Sequence, residues 1–527
     1  MDFKMKLKSI NPATLEVISE IETTPVDEVF EISVRAREAF KKWSNTTIDE
    51  RLKLLKNARE ILYKNQDEIA KLITLENGKP ILESYSMEIF PTLDLFDFYI
   101  KNSKRILKPK KVRSQIPLFW VKSNYIHFEP LGVVAVISPW NYPLLLPIAP
   151  IISALVAGNC VIFKPSEYTS LIGLKIYEIF KEAGFPEGVF NIVIGLGDVG
   201  EALVNSQVDK ISFTGSTKTG RIIMQNAGKK PIPVTLELGG KDPMIVFDDV
   251  DIELVSSAAV WGAFANAGQT CVSVEVCYVH EKIFEDFVEK VVQKTKKLKI
   301  GNGLDPDVEI GPINNERQLK IIENQIQDAV SKGAKILTGG KRIFPKDKNG
   351  NELKGYFFEP TVLVDVNNSM LLMKEETFGP VLPIIKFKDE DEVVEMANSS
   401  EYGLSASVWT RNKKRAKEMV EKIKSGSALV NECIVHYGDA KAPCGGVKSS
   451  GFGRVHSEFG LYDMVNIKFE SFDFISPYRL WWFGYDEKLL ETIKNAVNFL
   501  YSPSLVQRIK SVPGLVLNLF RKEEGRI

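Results

Sequence analysis

The chain has 527 residues with 68 basic and 68 acidic side chains, so its formal net charge is zero, and no block of like charge is long enough to follow a phosphate backbone. That argues against nucleic acid as a partner. Five cysteines without a C-x-x-C pair and four scattered histidines (His127, His280, His436, His456) argue against a disulfide framework and a metal centre, and for a reducing compartment.

At this length two or three domains are expected. The opening MDFKMKLKSINPAT has no apolar signal core, and the longest apolar region, 131–157, is broken by Pro139, Pro143, Pro147 and Pro150, so the expected location is cytoplasmic. Helical periodicity predicts outer helices over 26–43 and about 49–75, the second stopped by Gly78-Lys79-Pro80. Residues 108–122 are basic and proline-punctuated, and the alternation near 121–128 reads as a projecting hairpin suited to an oligomer edge. A strand, turn, helix rhythm then predicts strands at 131–137, 160–163, 189–194 and 210–213, with helices at 147–157, 170–183 and 199–205. Such a rhythm makes a parallel sheet that binds ligands beyond the carboxyl ends of its strands. After Asp242 it starts again, with helices at 252–265, 284–298, 315–332, 390–398 and 415–423 and strands at 272–279, 334–338 and 384–387. This is a second α/β domain, with the boundary near 237–241.

Chemistry concentrates at a few turns. Cys271 lies between a small-residue run (Ala263, Ala265, Ala267, Gly268) and a β-branched strand, where a nucleophile can be presented. The thiolate is the reactive form, so nearby dipoles or cations are expected to depress the thiol's pKa. The strand 210–213 runs into Thr214-Gly215-Ser216-Thr217-Lys218-Thr219-Gly220 and a helix over 221–227, placing free N–H groups where a phosphate can sit. Lys164 and Glu167 follow the strand 160–163, within reach of a ribose. Asn141 follows 131–137, and its amide suits a developing oxyanion. Glu237, between two leucines and beside Gly239-Gly240, has the apolar flanks that raise a carboxyl toward neutrality, as a general base needs.

The set PWN (139–141), KPSE (164–167), FTGS (213–216), LELGGK (236–241), GQTC (268–271), EETFGP (375–380) and GGVKSSGFGR (445–454) resembles the NAD(P)-dependent aldehyde dehydrogenase superfamily, in the family's order, over roughly residues 11–472. The resemblance implies a Rossmann-like parallel-sheet cofactor domain (1–110 and 130–240), a second α/β catalytic domain (241–459), a small β oligomerisation arm (111–129 and 460–472), and a homodimer or homotetramer. It makes Cys271 the nucleophile, Glu237 the base, and Asn141 with the Cys271 backbone N–H the oxyanion hole. Ser138, Pro139, Trp140, Lys164, Ser166, Glu167, Phe213, Gly215, Ser216, Thr219, Gly220, Leu238, Glu376 and Phe378 would hold the cofactor, with Gly215 and Ser216 at the pyrophosphate and Glu376 and Phe378 at the nicotinamide half. NAD is expected over NADP, because Glu167 would accept from the 2′-hydroxyl and repel a 2′-phosphate, although Lys164 lies close enough to tolerate one. One departure is Val276, where many relatives carry an arginine after Glu275, which puts local strand contacts in question.

The family's aldehyde channel would be lined by Tyr142, Leu145, Leu146, Ala149, Thr270 and Val272, none of them charged. A medium- to long-chain aliphatic or aromatic aldehyde is therefore expected. The alternatives are a succinate-semialdehyde type, which would need an arginine, lysine or histidine such as Lys441 or His436 aimed inward, and a catalytically silent membrane-associated protein. A tail over 473–527 is the second departure, with Trp481-Trp482-Phe483, an amphipathic helix at 486–501, and an apolar segment at 505–520 interrupted by Pro513-Gly514. Three readings stay open for it: packing on the protein or a partner subunit, a lid over the channel mouth, or a peripheral anchor on a membrane surface.

Overall fold

In the computed structural model residues 6–116, 119–474 and 483–519 are described. The chain divides into two compact units, Met1–Lys108 with Phe128–Ile467, and Pro109–His127 with Lys468–Ile527.

The first unit is α/β and holds two largely parallel sheets. One has six strands in the order Gly451–Phe452, Val234–Glu237, Lys210–Thr214, Val133–Ile137, Cys160–Lys164 and Phe190–Ile192, all parallel except the first. Val133–Ile137 and Cys160–Lys164 are buried at every position, as their unbroken apolar runs require of strands covered on both faces. Register fixes the site. Ile137 lies opposite Lys164 and Phe213, and Thr214 opposite Glu237, so three motif-bearing turns leave the sheet at one edge.

The other sheet has seven strands in the order Lys335–Thr338, Thr361–Val364, Val381–Phe387, Val274–His280, Asp242–Val246, Ser405–Trp409 and Ser427–Val430. Only Lys335–Thr338 is antiparallel to its neighbour. Residues 238–241 connect the two sheets, and Gly451–Phe452 returns to the first.

Several elements differ from the sequence expectation. The predicted helix over 49–75 is two, Ile48–Lys64 and Gln66–Asn77, because Asn65 leaves helical geometry and turns its amide back onto Ile61 O. Residues 81–106, for which no helix is predicted, form a continuous helical path, Ile81–Ser84, a π turn at Tyr85–Ile89, and Phe90–Ile106. A hairpin, Lys6–Ile10 with Val17–Glu22, was likewise not anticipated.

A three-stranded sheet consists of Lys110–Val112, antiparallel to Ser123–Pro130, and Val465–Phe472. The helices Glu487–Tyr501 and Leu505–Leu519 pack on each other. Pro513-Gly514 does not interrupt the second of these; Pro513 lies inside the helix, and a side chain at 514 would strike Asn495. The expected Trp481-Trp482 lies outside the described residues.

Candidate active site

Cys271 is mounted on an unusual piece of backbone. The helix Ile252–Phe264 ends, and Asn266, Ala267 and Gly268 follow with φ of 52°, 54° and 71°. Left-handed non-glycine residues cost roughly 1–2 kcal/mol each and persist only where the surroundings over-determine them. Here they do. Asn266 N–H donates to Glu83 (2.9 Å), Gln269 Nε2 to Asn266 O (2.9 Å), and Asn314 N–H to Gln269 Oε1 (2.8 Å). Gly268 tolerates no Cβ, which would strike Gly379 O, and a Cβ on Gly240 would strike the Cys271 carbonyl.

The thiol is partly exposed in the wall of a cavity of about 300 Å³. The expectation of a depressed pKa is corrected: burial, and then the carboxylates of Glu376 and Glu237, push the Cys271 thiol well above its ordinary value. The nucleophile therefore needs a base rather than a resident cation.

Glu237 ends the strand Val234–Glu237, is 3% exposed, and its Oε1 is buried with no hydrogen-bond partner. Burial pushes its carboxyl up to about 8, with Arg454 opposing. Asn141 is buried, and its Nδ2 donates to Gln269 O at 3.1 Å, two residues from the thiol. Tyr142 joins the two segments through a 2.7 Å hydroxyl contact with Thr270.

A second buried corner supports this one. Lys241 Nζ lies 2.6 Å from Glu275, whose oxygens also accept from Thr377 N–H and Phe378 N–H, fixing the turn that carries Glu376. Glu376 accepts from Gly240 N–H at 3.0 Å, and burial together with Glu275 pushes its carboxyl up to about 8. Val276 packs in an apolar cluster with Ile245, Phe247 and Phe387, so the local strand contacts that an arginine would make elsewhere are apolar here.

The cofactor candidates gather at the shared edge of the six-stranded sheet. Lys164 is buried; among the described residues its ammonium bonds to Pro165 O and makes no salt bridge, with the carboxylates of Glu167 and Asp198 acting on it from further off. The helix Thr217–Gly228 opens there, capped by Ser216, whose hydroxyl accepts from Thr219 N–H. Phe213 lies under Gly215, and Leu238 against Gly220. Ser166 and Glu167 start the turn after Lys164, Ser138 N–H donates to Lys164 O, and Pro139 leads to Trp140, whose ring meets Phe378 edge-on at 5.4 Å. An anionic dinucleotide fits this donor set: a helix N-terminus for phosphate, and a cation and a carboxylate for ribose.

Tyr142, Leu145, Leu146, Thr270 and Val272 line the cavity; Ala149 does not, since it is one turn further along the helix and buried in the core. The sequence reading passed over Met87, Phe90, Trp261, Val435, Tyr437 and Asp439, which supply the rest of the wall with Ser86, Pro91, Ile434 and Gly438. Phe90 comes from the unpredicted helical path, and no periodic signal announced the 434–439 turn. Neither Lys441 nor His436 lines the cavity, and burial pushes the His436 imidazole down to about 4, so it is neutral.

Known proteins share this chain's sequence pattern and fold. The sequence model of the aldehyde dehydrogenase family matches residues 2–469. The chain is 39% identical to 4,4′-diapolycopene aldehyde oxidase of Methylomonas sp, covering 90% of this chain and 87% of that one. It is 38% identical to the succinate-semialdehyde dehydrogenase (NADP+) of Escherichia coli (strain K12), over 87% and 92%. The NAD+ complex of an aldehyde dehydrogenase from Bacillus cereus superposes with a TM-score of 0.84 at 35% identity, over 89% and 94%. With a thiol, a bare buried carboxylate and an amide brought together at the edge of a nucleotide-type sheet, and with a match across nearly its whole length, the chain belongs to the aldehyde dehydrogenase family.

Proposed function

We propose that the protein oxidises a medium- to long-chain aliphatic or aromatic aldehyde to its acid, with NAD preferred. The cavity wall carries this reading: among its described lining residues Asp439 alone bears a charged side chain, and no arginine or lysine is there to meet a second carboxylate. Cys271 attacks the aldehyde carbon as the thiolate, and the Asn141 amide with the Cys271 N–H receives the oxyanion. The edge residues of the six-stranded sheet would hold the adenosine and pyrophosphate of a dinucleotide and Glu376 with Phe378 its nicotinamide half, which when bound would supply the hydride acceptor for oxidation of the adduct on Cys271 to a thioester. Glu237 then activates the water that releases the acid. Glu167 beside the ribose supports NAD, and a kcat/KM ratio favouring NADP would reverse that assignment.

The test is a kcat/KM series from two to twelve carbons with succinate semialdehyde included. At about 0.8 kcal/mol per buried CH₂, each carbon should raise kcat/KM roughly four-fold until the cavity is full. Succinate semialdehyde as the best substrate would overturn the reading.

The three-stranded sheet, with Ile467 and Phe469 about 60% exposed on one edge strand, is assigned to the contact between subunits of a dimer or tetramer, which light scattering checks. For the tail, a peripheral contact with a membrane surface is one reading, beside packing on the protein or a partner subunit and a lid over the channel mouth. Ile493, Val497, Leu505, Val506 and Ile509 are exposed, and the charges around them at Lys494, Arg508 and Lys510 are basic, although Asp486, Glu487, Glu491, Glu523 and Glu524 flank them. Among the described residues no helix is long and apolar enough to cross a membrane, so the contact would be peripheral. Absence of co-sedimentation with anionic vesicles would leave the tail to packing or to a lid.

A further inference from the structure

Lys79 and Glu88 form an ion pair at 2.9 Å, each side chain 0% exposed. Such a pair is a weak source of stability, because desolvating two charges consumes most of what their attraction returns. What distinguishes this one is where its remaining bonding capacity goes. Lys79 Nζ donates to Asn141 O at 2.8 Å and sits 3.7 Å over the Tyr142 ring. The other oxygen of Glu88 accepts from Leu144 N–H (2.9 Å) and Leu145 N–H (3.0 Å). All of it converges on one five-residue turn, 141–145. The π turn Tyr85–Ile89 interrupts the regular spacing of its helix and carries Glu88 at its fourth residue. Asn266, from the nucleophile's own loop, donates to the same Asn141 carbonyl at 3.1 Å, so the pair, the turn and the thiol mount share one acceptor.

We propose that Lys79 and Glu88 are positioning residues for the reaction: they fix the main chain of Asn141 and thereby aim the side-chain amide that receives the oxyanion. This rests on the oxyanion role given to Asn141 above. With the peptide after Asn141 held through its oxygen and the following helix start held through two N–H groups, the Cα–Cβ direction of Asn141 has no freedom to drift. Replacing Lys79 removes one of the donors on that carbonyl, beside Asn266 and Asn77, and loosens the aim of the amide at the developing charge, while the cofactor edge stays as it is.

The experiment is a double-mutant cycle read on the pre-steady-state NADH burst of the full chain. Asn141→Ala should slow the burst about 100- to 1000-fold, as loss of one oxyanion donor does. Lys79→Met should slow it about 10-fold or more, with the Kd for NAD and the KM for aldehyde within about two-fold of wild type, since the interaction exists only in the transition state. In the Asn141→Ala background the same Lys79→Met change should cost less than about two-fold, because the group it aims is gone. Equal losses in the two backgrounds would overturn the proposal, since a structural defect adds to the loss of the amide. If Asn141→Ala alone leaves the burst intact, the oxyanion assignment fails instead. Glu88→Asp, which keeps the charge and withdraws the carboxylate by one methylene, runs the same cycle should Lys79→Met not fold, and additivity there overturns the proposal equally.

Discussion

Two buried corners of the first unit hold carboxylates under similar burial and treat them differently. At Glu275 the oxygens are engaged by the Lys241 ammonium and two backbone N–H groups. At Glu237 one oxygen has no partner, and burial alone dominates its titration. A buried polar group left bare costs about 1–3 kcal/mol, so a fold keeps one only where something else is gained. The saturated corner is frame and the bare one is machinery, and substitutions should separate the two by what they damage.

The largest effect is expected at the thiol. Cys271→Ala removes the covalent step, so turnover should be lost while the melting temperature and NAD binding stay near wild type; NADH formation above background would refute the assignment. Glu237→Gln comes next. It should slow steady turnover about 10²- to 10⁴-fold, as loss of a general base does, yet retain an NADH burst if its main work is deacylation. Stopped-flow absorbance distinguishes this from a role in thiol activation, which would remove the burst as well. Lys241→Met belongs to the other corner and should cost about 3–5 kcal/mol of stability by stranding the Glu275 charge, seen in thermal or denaturant melts, with a smaller change in the rate of the surviving native protein.

The smallest effect is a pH dependence. With its carboxyl pushed up to about 8, Glu237 is a base only when ionised, so the turnover limb it controls should rise with pH and level off above about 8. Glu237→Gln should flatten that limb. Stability runs the other way. The native state keeps the proton where the unfolded chain has lost it, so this group's contribution falls as pH climbs from about 4.5 to about 8, and melts of the glutamine variant should show a shallower fall over that window.

These corners were unequally legible in the sequence. Continuous apolar runs such as 133–137 and 160–164 announce central parallel strands, and the strand ends and turns that carry Asn141, Lys164 and Ser216 meet at one edge of the sheet, so that convergence can be read from pattern and turn chemistry alone. The path 81–106 could not be read that way. Its buried face includes Glu88, Thr92 and Ser103, its regular spacing is broken by the π turn, and Pro91 imitates a stop. The thiol's pKa was misjudged for a related reason. Flanking residues in sequence say nothing of Glu376, which reaches the site from more than one hundred positions away. Pro513 misled because proline is read as a helix breaker, whereas the helix passes through it.

Among the places where a single methyl group would strike backbone, two lie at the thiol's mount, Gly240 against the Cys271 carbonyl and Gly268 against Gly379, and they sort the site by how freely it can change over evolutionary time. Side chains such as Phe90, Trp261 and Val435 form the cavity wall while 42–71% exposed, so exchanges there redraw the shape offered to substrate at little cost in folding. The mount beneath them has no comparable latitude, because its geometry depends on atoms that are missing. Random mutagenesis followed by selection on new aldehydes should therefore collect survivors along the wall and almost none at positions 240 and 268.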